Sequence, residues 1–248
     1  MVVSGASVYL RQVDVAGVDT KFIERHHRLL DRLLVTVLPP EGVDLTQSGL
    51  VRRYGFRRKP NYVRFRLPGP LDPFPPVLTE LRLRADELAD LKLDVGTVFV
   101  VENEISYLAL PSVPDALVIF GEGFAVTVLE AIPWLDDKDL VYWGDIDTHG
   151  FAILDRLRSR FRSVSSILMD YVTLLAHPDQ LVQEESPTSA PLPHLTSEEQ
   201  SLYRDLVEDR FGTAVRLEQE RVRFGLVHKA LDRWTGAAEM PSAGVTPP

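Results

Sequence analysis

The chain has 248 residues, a net charge of −9 and no cysteine, which leaves room for one large domain or two small ones and excludes disulfides, zinc–thiolate centres and thiol nucleophiles. The acidic balance argues against a protein that coats nucleic acid by bulk charge, and no run approaches the roughly 18 apolar residues of a membrane span. The N-terminus (Met-Val-Val-Ser-Gly-Ala-Ser) has no basic region followed by an apolar core, so no signal peptide is expected and the cytoplasm is the expected location.

Phe22, Ile23, Leu29, Leu30, Leu33 and Leu34 fall on one helical face and predict a helix over 20–36. Asp19 or Thr20 is its N-cap, and Pro39-Pro40 bars continuation. A short helix near 45–54 and the alternating strand Tyr62-Val-Arg-Phe-Arg-Leu follow. Helix, helix and basic strand are compatible with a small winged-helix-like α+β module. Residues 51–66 hold Arg52, Arg53, Arg57, Arg58, Lys59, Arg64 and Arg66 without an acid, interleaved with aromatic residues. Such a patch can neutralise a phosphate backbone; a solvated basic hairpin is the alternative. Lys21 is a further candidate DNA contact, or a solvated helix lysine. The prolines at 68, 70, 73, 75 and 76 predict an extended linker, so residues 1–76 are read as the N-terminal module with its linker.

A helix over 78–91 then leads into a second domain, 77–234. Strands over 97–101, 116–120, 139–144 and 163–169 alternate there with helices over 104–110, 123–131 and 150–160. This order predicts an α/β fold, a mainly parallel sheet with helices on both faces. Pro, Ser and Thr in 178–195 suggest a long loop, and Thr196-Ser-Glu-Glu199 is a capping box opening a helix that ends near Gly212. Residues 215–222, read as a strand, and a last helix over 224–234 close the fold, and 235–248 is expected to be a disordered tail.

Two of these strands end in acids. The first runs into Glu102 and Glu104, the other into Asp145 and Asp147. Strand side chains alternate, so Asp145 and Asp147 share a side if the strand continues through them. Sites in parallel sheets form at the carboxyl ends of strands, so Glu102, Asp145 and Asp147 are expected around one point, where acceptor-only oxygens suit Mg²⁺ or Mn²⁺. Clustered carboxylates repel, so without metal at least one should have a raised pKa. Glu102 either binds metal or takes a proton from an attacking water. Glu104 is a further metal candidate or a solvated first-turn acid. His149 is a phosphate contact, a general acid or a turn histidine. Asp147 or Thr148 can instead cap the helix near Gly150. Gly121 and Gly123 can let backbone approach a phosphate. Glu218 and Glu220 share a face if 215–222 is a strand, and an ion pair with Arg216 or Arg221 is the alternative.

The Glu102 strand end, the Gly121-Glu-Gly123 turn and Asp145-Ile-Asp147 resemble a Toprim domain, the metal-binding catalytic module of topoisomerases, bacterial primases and some nucleases. A longer series is similar to the JetD nuclease subunit of Wadjet-type plasmid-defence systems: Val-Asp-Thr-Lys-Phe-Ile-Glu (18–24), Tyr-Gly-Phe-Arg-Arg-Lys-Pro (54–60), Val-Val-Glu-Asn-Glu (100–104), Trp-Gly-Asp-Ile-Asp-Thr-His-Gly (143–150) and Arg-Leu-Glu-Gln-Glu (216–220). The resemblance covers residues 8–234 and implies a relation to the A subunit of topoisomerase VI, with a winged-helix-like module before a Toprim module. It also implies a divalent-metal-dependent endonuclease acting on double-stranded DNA beside an SMC-type complex, with Glu102, Asp145, Asp147 and His149 as its catalytic group. Cutting both strands with one site per subunit favours a homodimer. Proteins of this kind usually carry a longer N-terminal region. Topoisomerase VI relatives use a tyrosine nucleophile; Tyr54 and Tyr62 are nearby but sit in no matching motif. A tyrosine transesterase and a non-catalytic DNA-binding or assembly subunit are the competing readings.

Overall fold

Runs of β-branched and aromatic residues build the sheet that organises most of the chain. The computed structural model describes residues 8–121 and 125–235. The chain divides into two units, Met1–Pro60 and Asn61–Pro248.

In the first unit the helix expected over 20–36 is two helices, α1 (Thr20–Arg25) and α2 (His27–Val37). They part at His26, whose backbone (φ −102°, ψ 14°) leaves helical geometry. Asp19 caps α1 by accepting from the Phe22 amide at 2.6 Å. A third helix, α3 (Leu50–Arg53), is shorter than the 45–54 expected and follows Gly49, which takes a positive φ of 81°. Ile23, Leu50 and Tyr54 form this unit's small buried core.

The second unit begins with β1 (Tyr62–Arg66) and β2 (Glu80–Arg84), followed by α4 (Ala85–Leu91), β3 (Thr97–Val101), α5 (Glu104–Ala109), β4 (Ala116–Phe120) and α6 (Ala125–Leu129). Next come β5 (Asp139–Trp143), α7 (Thr148–Arg160), β6 (Val164–Ser166), α8 (Tyr171–Leu175), β7 (Val182–Gln183), α9 (Ser197–Val207), β8 (Val215–Arg216) and α10 (Phe224–Thr235). Six strands form one sheet in the order β2-β1-β4-β3-β5-β6. The four strands β4, β3, β5 and β6 run parallel, while β1 is antiparallel to both β2 and β4. Helices flank this mainly parallel sheet, as the alternating order predicts. Phe99, Leu117, Tyr142, Phe151 and Leu154 are fully buried in the core between sheet and helices.

Several expectations need correction. The basic strand at 62–66, expected in the winged-helix-like module, pairs with β4 in the large sheet. Val63 and Phe65 are buried there (3% and 0% exposed), so the alternating apolar face joins the larger core. The unit boundary accordingly falls after Pro60, ahead of the proline-rich segment. The helix expected over 78–91 is a strand followed by a helix. Glu80-Leu-Arg-Leu-Arg84 alternates with period two and pairs along its whole length with β1, and helical geometry starts only at Ala85. The segment 215–222 is strand only over Val215–Arg216 and then turns into a 3-10 helix, Gln219–Arg221. The long loop over 178–195 contains β7, which pairs with β8. Helix α9 opens with the expected Thr196/Glu199 capping box but ends at Val207, before Gly212. Glu122, Gly123 and the tail from residue 236 lie outside the described residues.

Candidate active site at the ends of the central strands

β3 and β5 are parallel neighbours in register, with Val101 opposite Trp143. The residues that leave their carboxyl ends, Glu102 on one and Asp145 to Asp147 on the other, therefore emerge side by side. Gln219 fastens the two ends together. Its side chain accepts from the Asn103 amide at 3.1 Å and donates to the Trp143 carbonyl. Its own amide donates to Asp145 Oδ1 at 2.9 Å.

Asp145 and Asp147 straddle Ile146, whose backbone pairs with Leu217 through two hydrogen bonds of 2.9 and 3.0 Å. Ile146 and Leu217 point into the core; the flanking residues present their side chains to each other. Arg216 lies on the aspartates, with Nε 3.0 Å from Asp145 Oδ2 and 3.2 Å from Asp147 Oδ2, and Nη2 also donating to Asp145. Asp147 Oδ1 accepts from the Gly150 amide at 2.7 Å and so caps α7. The capping reading of Asp147 is thus observed directly. Gly150 is required at this place: a Cβ there would collide with the Asp145 carbonyl oxygen.

Glu102 is half-buried as a residue, yet its Oε1 is cut off from solvent and has no hydrogen-bond partner. The same is true of the Tyr142 hydroxyl. The two groups face each other, and the phenol favours the charged carboxylate without meeting it in ordinary hydrogen-bond geometry. Burial dominates and pushes the Glu102 carboxyl up to about 7, with the negative charges of Asp145 and Asp147 raising it further. Burial likewise lifts Asp147 to about 6, against the Gly150 amide and Arg216, which favour its charged form.

Sequence reasoning did not single out Glu184. It is buried (4% exposed) and accepts from the Thr148 amide (3.1 Å), the Thr148 hydroxyl (2.7 Å) and the His149 amide (3.2 Å). The two amides are orphan donors of the first turn of α7. Glu184 lies in the segment read as a loop, and no periodicity marks it. Gln219 is visible in the sequence only as part of the Arg-Leu-Glu-Gln-Glu run, and Arg216, expected to pair with Glu218 or Glu220, pairs with Asp145 and Asp147 instead.

The other candidates are placed elsewhere. Glu104 is not brought to the aspartates; its carboxylate pairs with Arg64, which also pairs with Glu80. His149 is an exposed residue of the first turn of α7, its Nε2 3.0 Å from the Ser186 carbonyl. Glu218 pairs with Arg221 at 2.7 Å and Glu220 accepts from Asn103, so the two do not share a strand face. In the first unit Lys21, Arg52, Arg57, Arg58 and Lys59 are exposed. Arg53 is not free: it pairs with Asp31 and donates to the Gln47 carbonyl. Tyr54 donates its hydroxyl to Asp31, and burial raises its pKa.

The donor set suits a hard divalent cation in kind, since it is all carboxylate oxygen and Glu102 Oε1 is buried without a partner. Its present arrangement is different: among the described residues no three of His, Asp or Glu are grouped to hold one ion. Asp145 and Asp147 instead share a single cation, Arg216.

A family model described as Wadjet protein JetD, C-terminal, matches residues 55–231. The chain belongs to the JetD family. A second model, an uncharacterized N-terminal region conserved in bacteria, matches residues 4–35. No curated protein matches the chain. JetD membership ties the chain to the Wadjet defence systems and their subunits, and spans both strand ends and the Arg216 segment. No described helix is long and apolar enough to cross a membrane.

Proposed function

We propose that this chain is a divalent-metal-dependent DNA endonuclease of a Wadjet system, with a Toprim-type site, acting on double-stranded plasmid DNA beside an SMC-type complex. The observation that supports the reading is that Glu102, Asp145 and Asp147 leave the carboxyl ends of two adjacent parallel strands. Bound Mg²⁺ or Mn²⁺, held by Asp145 and Asp147, would offset charge on the phosphodiester and on the attacking oxygen. The protein's own groups do the rest. Glu102, with a proton affinity near neutrality, is matched to accept a proton from water at the pH of a cell. Asp147 is held in one orientation by its cap bond to α7, and that helix start is in turn held by Glu184. His149 stands exposed beside it and can meet a phosphate. The exposed cations Lys21, Arg52, Arg57, Arg58 and Lys59 are the groups we assign to DNA backbone contact. A homodimer would place one such site on each strand.

The tyrosine transesterase reading gains nothing from Tyr54, whose hydroxyl is given to Asp31 and whose burial disfavours the phenolate. The test is incubation of supercoiled plasmid with Mg²⁺ or Mn²⁺, with the protein alone and with the other Wadjet subunits, beside Glu102→Ala. Nicked or linear DNA free of bound protein is expected, and none from the variant. Undiminished cleavage by Glu102→Ala, or product covalently joined to protein, refutes the proposal.

A further inference from the structure

We infer that Arg216 is a built-in counter-ion that occupies the cation position between Asp145 and Asp147, and that it must swing out before a divalent metal ion can bind. The inference rests on the metal-dependent reading above and adds a regulatory residue to it.

Three observations carry it. The guanidinium contacts both aspartates, Nε at 3.0 Å from Asp145 Oδ2 and 3.2 Å from Asp147 Oδ2, where a shared cation would sit. Each Asp145 oxygen is thereby engaged, Oδ2 by Arg216 and Oδ1 by the Gln219 amide. Among the described residues no three of His, Asp or Glu are grouped to hold one ion. Glu102 is not in contact with Arg216, and its buried Oε1 faces the Tyr142 hydroxyl without a hydrogen bond of ordinary geometry. One cation thus pairs with two of the three acids.

The backbone explains why Arg216 sits there and how it can leave. Pairing of Leu217 with Ile146 and of Arg216 with Val182 fixes the main chain on both sides, so the position of the Cα is set by the fold. The side chain is not buried with it. It is 34% exposed, whereas those of Asp145 and Asp147 are 17% and 5% exposed. Rotation about its own bonds carries the guanidinium to solvent without disturbing the core, while the aspartates stay in place. A negatively charged DNA backbone arriving at the site offers it a new partner, since a guanidinium binds phosphate as readily as carboxylate. Metal and arginine are therefore alternatives at one place, and DNA favours the exchange.

The test is Mn²⁺ binding followed by titration calorimetry, without DNA, for the wild type, Arg216→Gln and Arg216→Lys. Removing a cation that close to two carboxylates should tighten Mn²⁺ binding about ten-fold or more. Arg216→Lys, which keeps charge without the planar fork, should fall between. Equal or weaker binding by Arg216→Gln overturns the inference and leaves the metal-dependent reading standing. Absence of binding in all three proteins overturns both, as does Mn²⁺ binding that persists undiminished in Asp145→Asn. If Arg216→Gln does not fold, Arg216→Lys decides alone: tighter than wild type supports the inference, equal or weaker refutes it.

Discussion

Glu102 gives the sharpest test of the electrostatics, because Gln is nearly its isostere and cannot ionise. Burial holds the Glu102 carboxyl at about 7 in the folded protein against an ordinary value of 4.5. Below pH 4.5 the group is protonated in both folded and unfolded chains and costs nothing. As the pH rises toward 7 the unfolded chain releases this proton and the folded chain keeps it, so stability falls; above 7 both are ionised and the cost is constant. At about 1.4 kcal/mol for each tenfold change in proton affinity, the full cost is roughly 3 kcal/mol. Urea unfolding in EDTA should therefore show Glu102→Gln gaining about 2 to 3 kcal/mol on the wild type between pH 5 and pH 8. The raised proton affinity of Asp147 is present in both proteins and largely cancels. A stability difference that does not change with pH refutes the burial argument. A difference of the opposite slope would mean that a cation, Arg216 or another, reaches Glu102 in solution.

Two further substitutions probe the scaffold. Gly150→Ala sets a Cβ against the Asp145 carbonyl, so it should cost about 2 kcal/mol or more by thermal unfolding; a neutral result refutes the tight approach of α7 to that strand end. Glu184→Gln removes the charge that accepts three hydrogen bonds at the start of α7 and should cost about 2 kcal/mol, with faster amide exchange at Thr148 and His149; unchanged exchange refutes its capping role.

The central sheet was legible because β3, β4 and β5 are short apolar runs bounded by acids, glycine or proline, a pattern strong enough to survive without partners. The acids at their ends were legible for the same reason, since a strand that stops at a carboxylate announces both the stop and the chemistry. β2 was hidden. Leu81 and Leu83 fit a strand, yet the helix formers that follow from Ala85 drew the period-3.6 reading backward over them. The basic run misled in a different way. Arg64 and Arg66 sit among the DNA-facing candidates in sequence, but Arg64 pairs with Glu80 and Glu104, and Arg66 donates to the Tyr107 and Leu110 carbonyls. Those partners are supplied by strand pairing and by a helix some forty residues away. Glu184 was missed, and Arg216 was expected as an ion-pair partner of Glu218 or Glu220, for a related reason. Glu184 follows β7 and Arg216 ends β8, two-residue strands with no periodicity to read, and their contacts exist only once the chain returns to the start of α7.

The pairing of Leu217 with Ile146 has a consequence for synthesis. Asp145 leaves the ribosome long before Arg216, seventy-one residues later in the chain. During that interval the central strands can assemble, but Ile146 has an open backbone edge and the two aspartates have no counter-charge. A chain that ends before residue 215 thus keeps all three acids but lacks the Leu217 partners of the Ile146 backbone and both Arg216 and the Gln219 amide at Asp145.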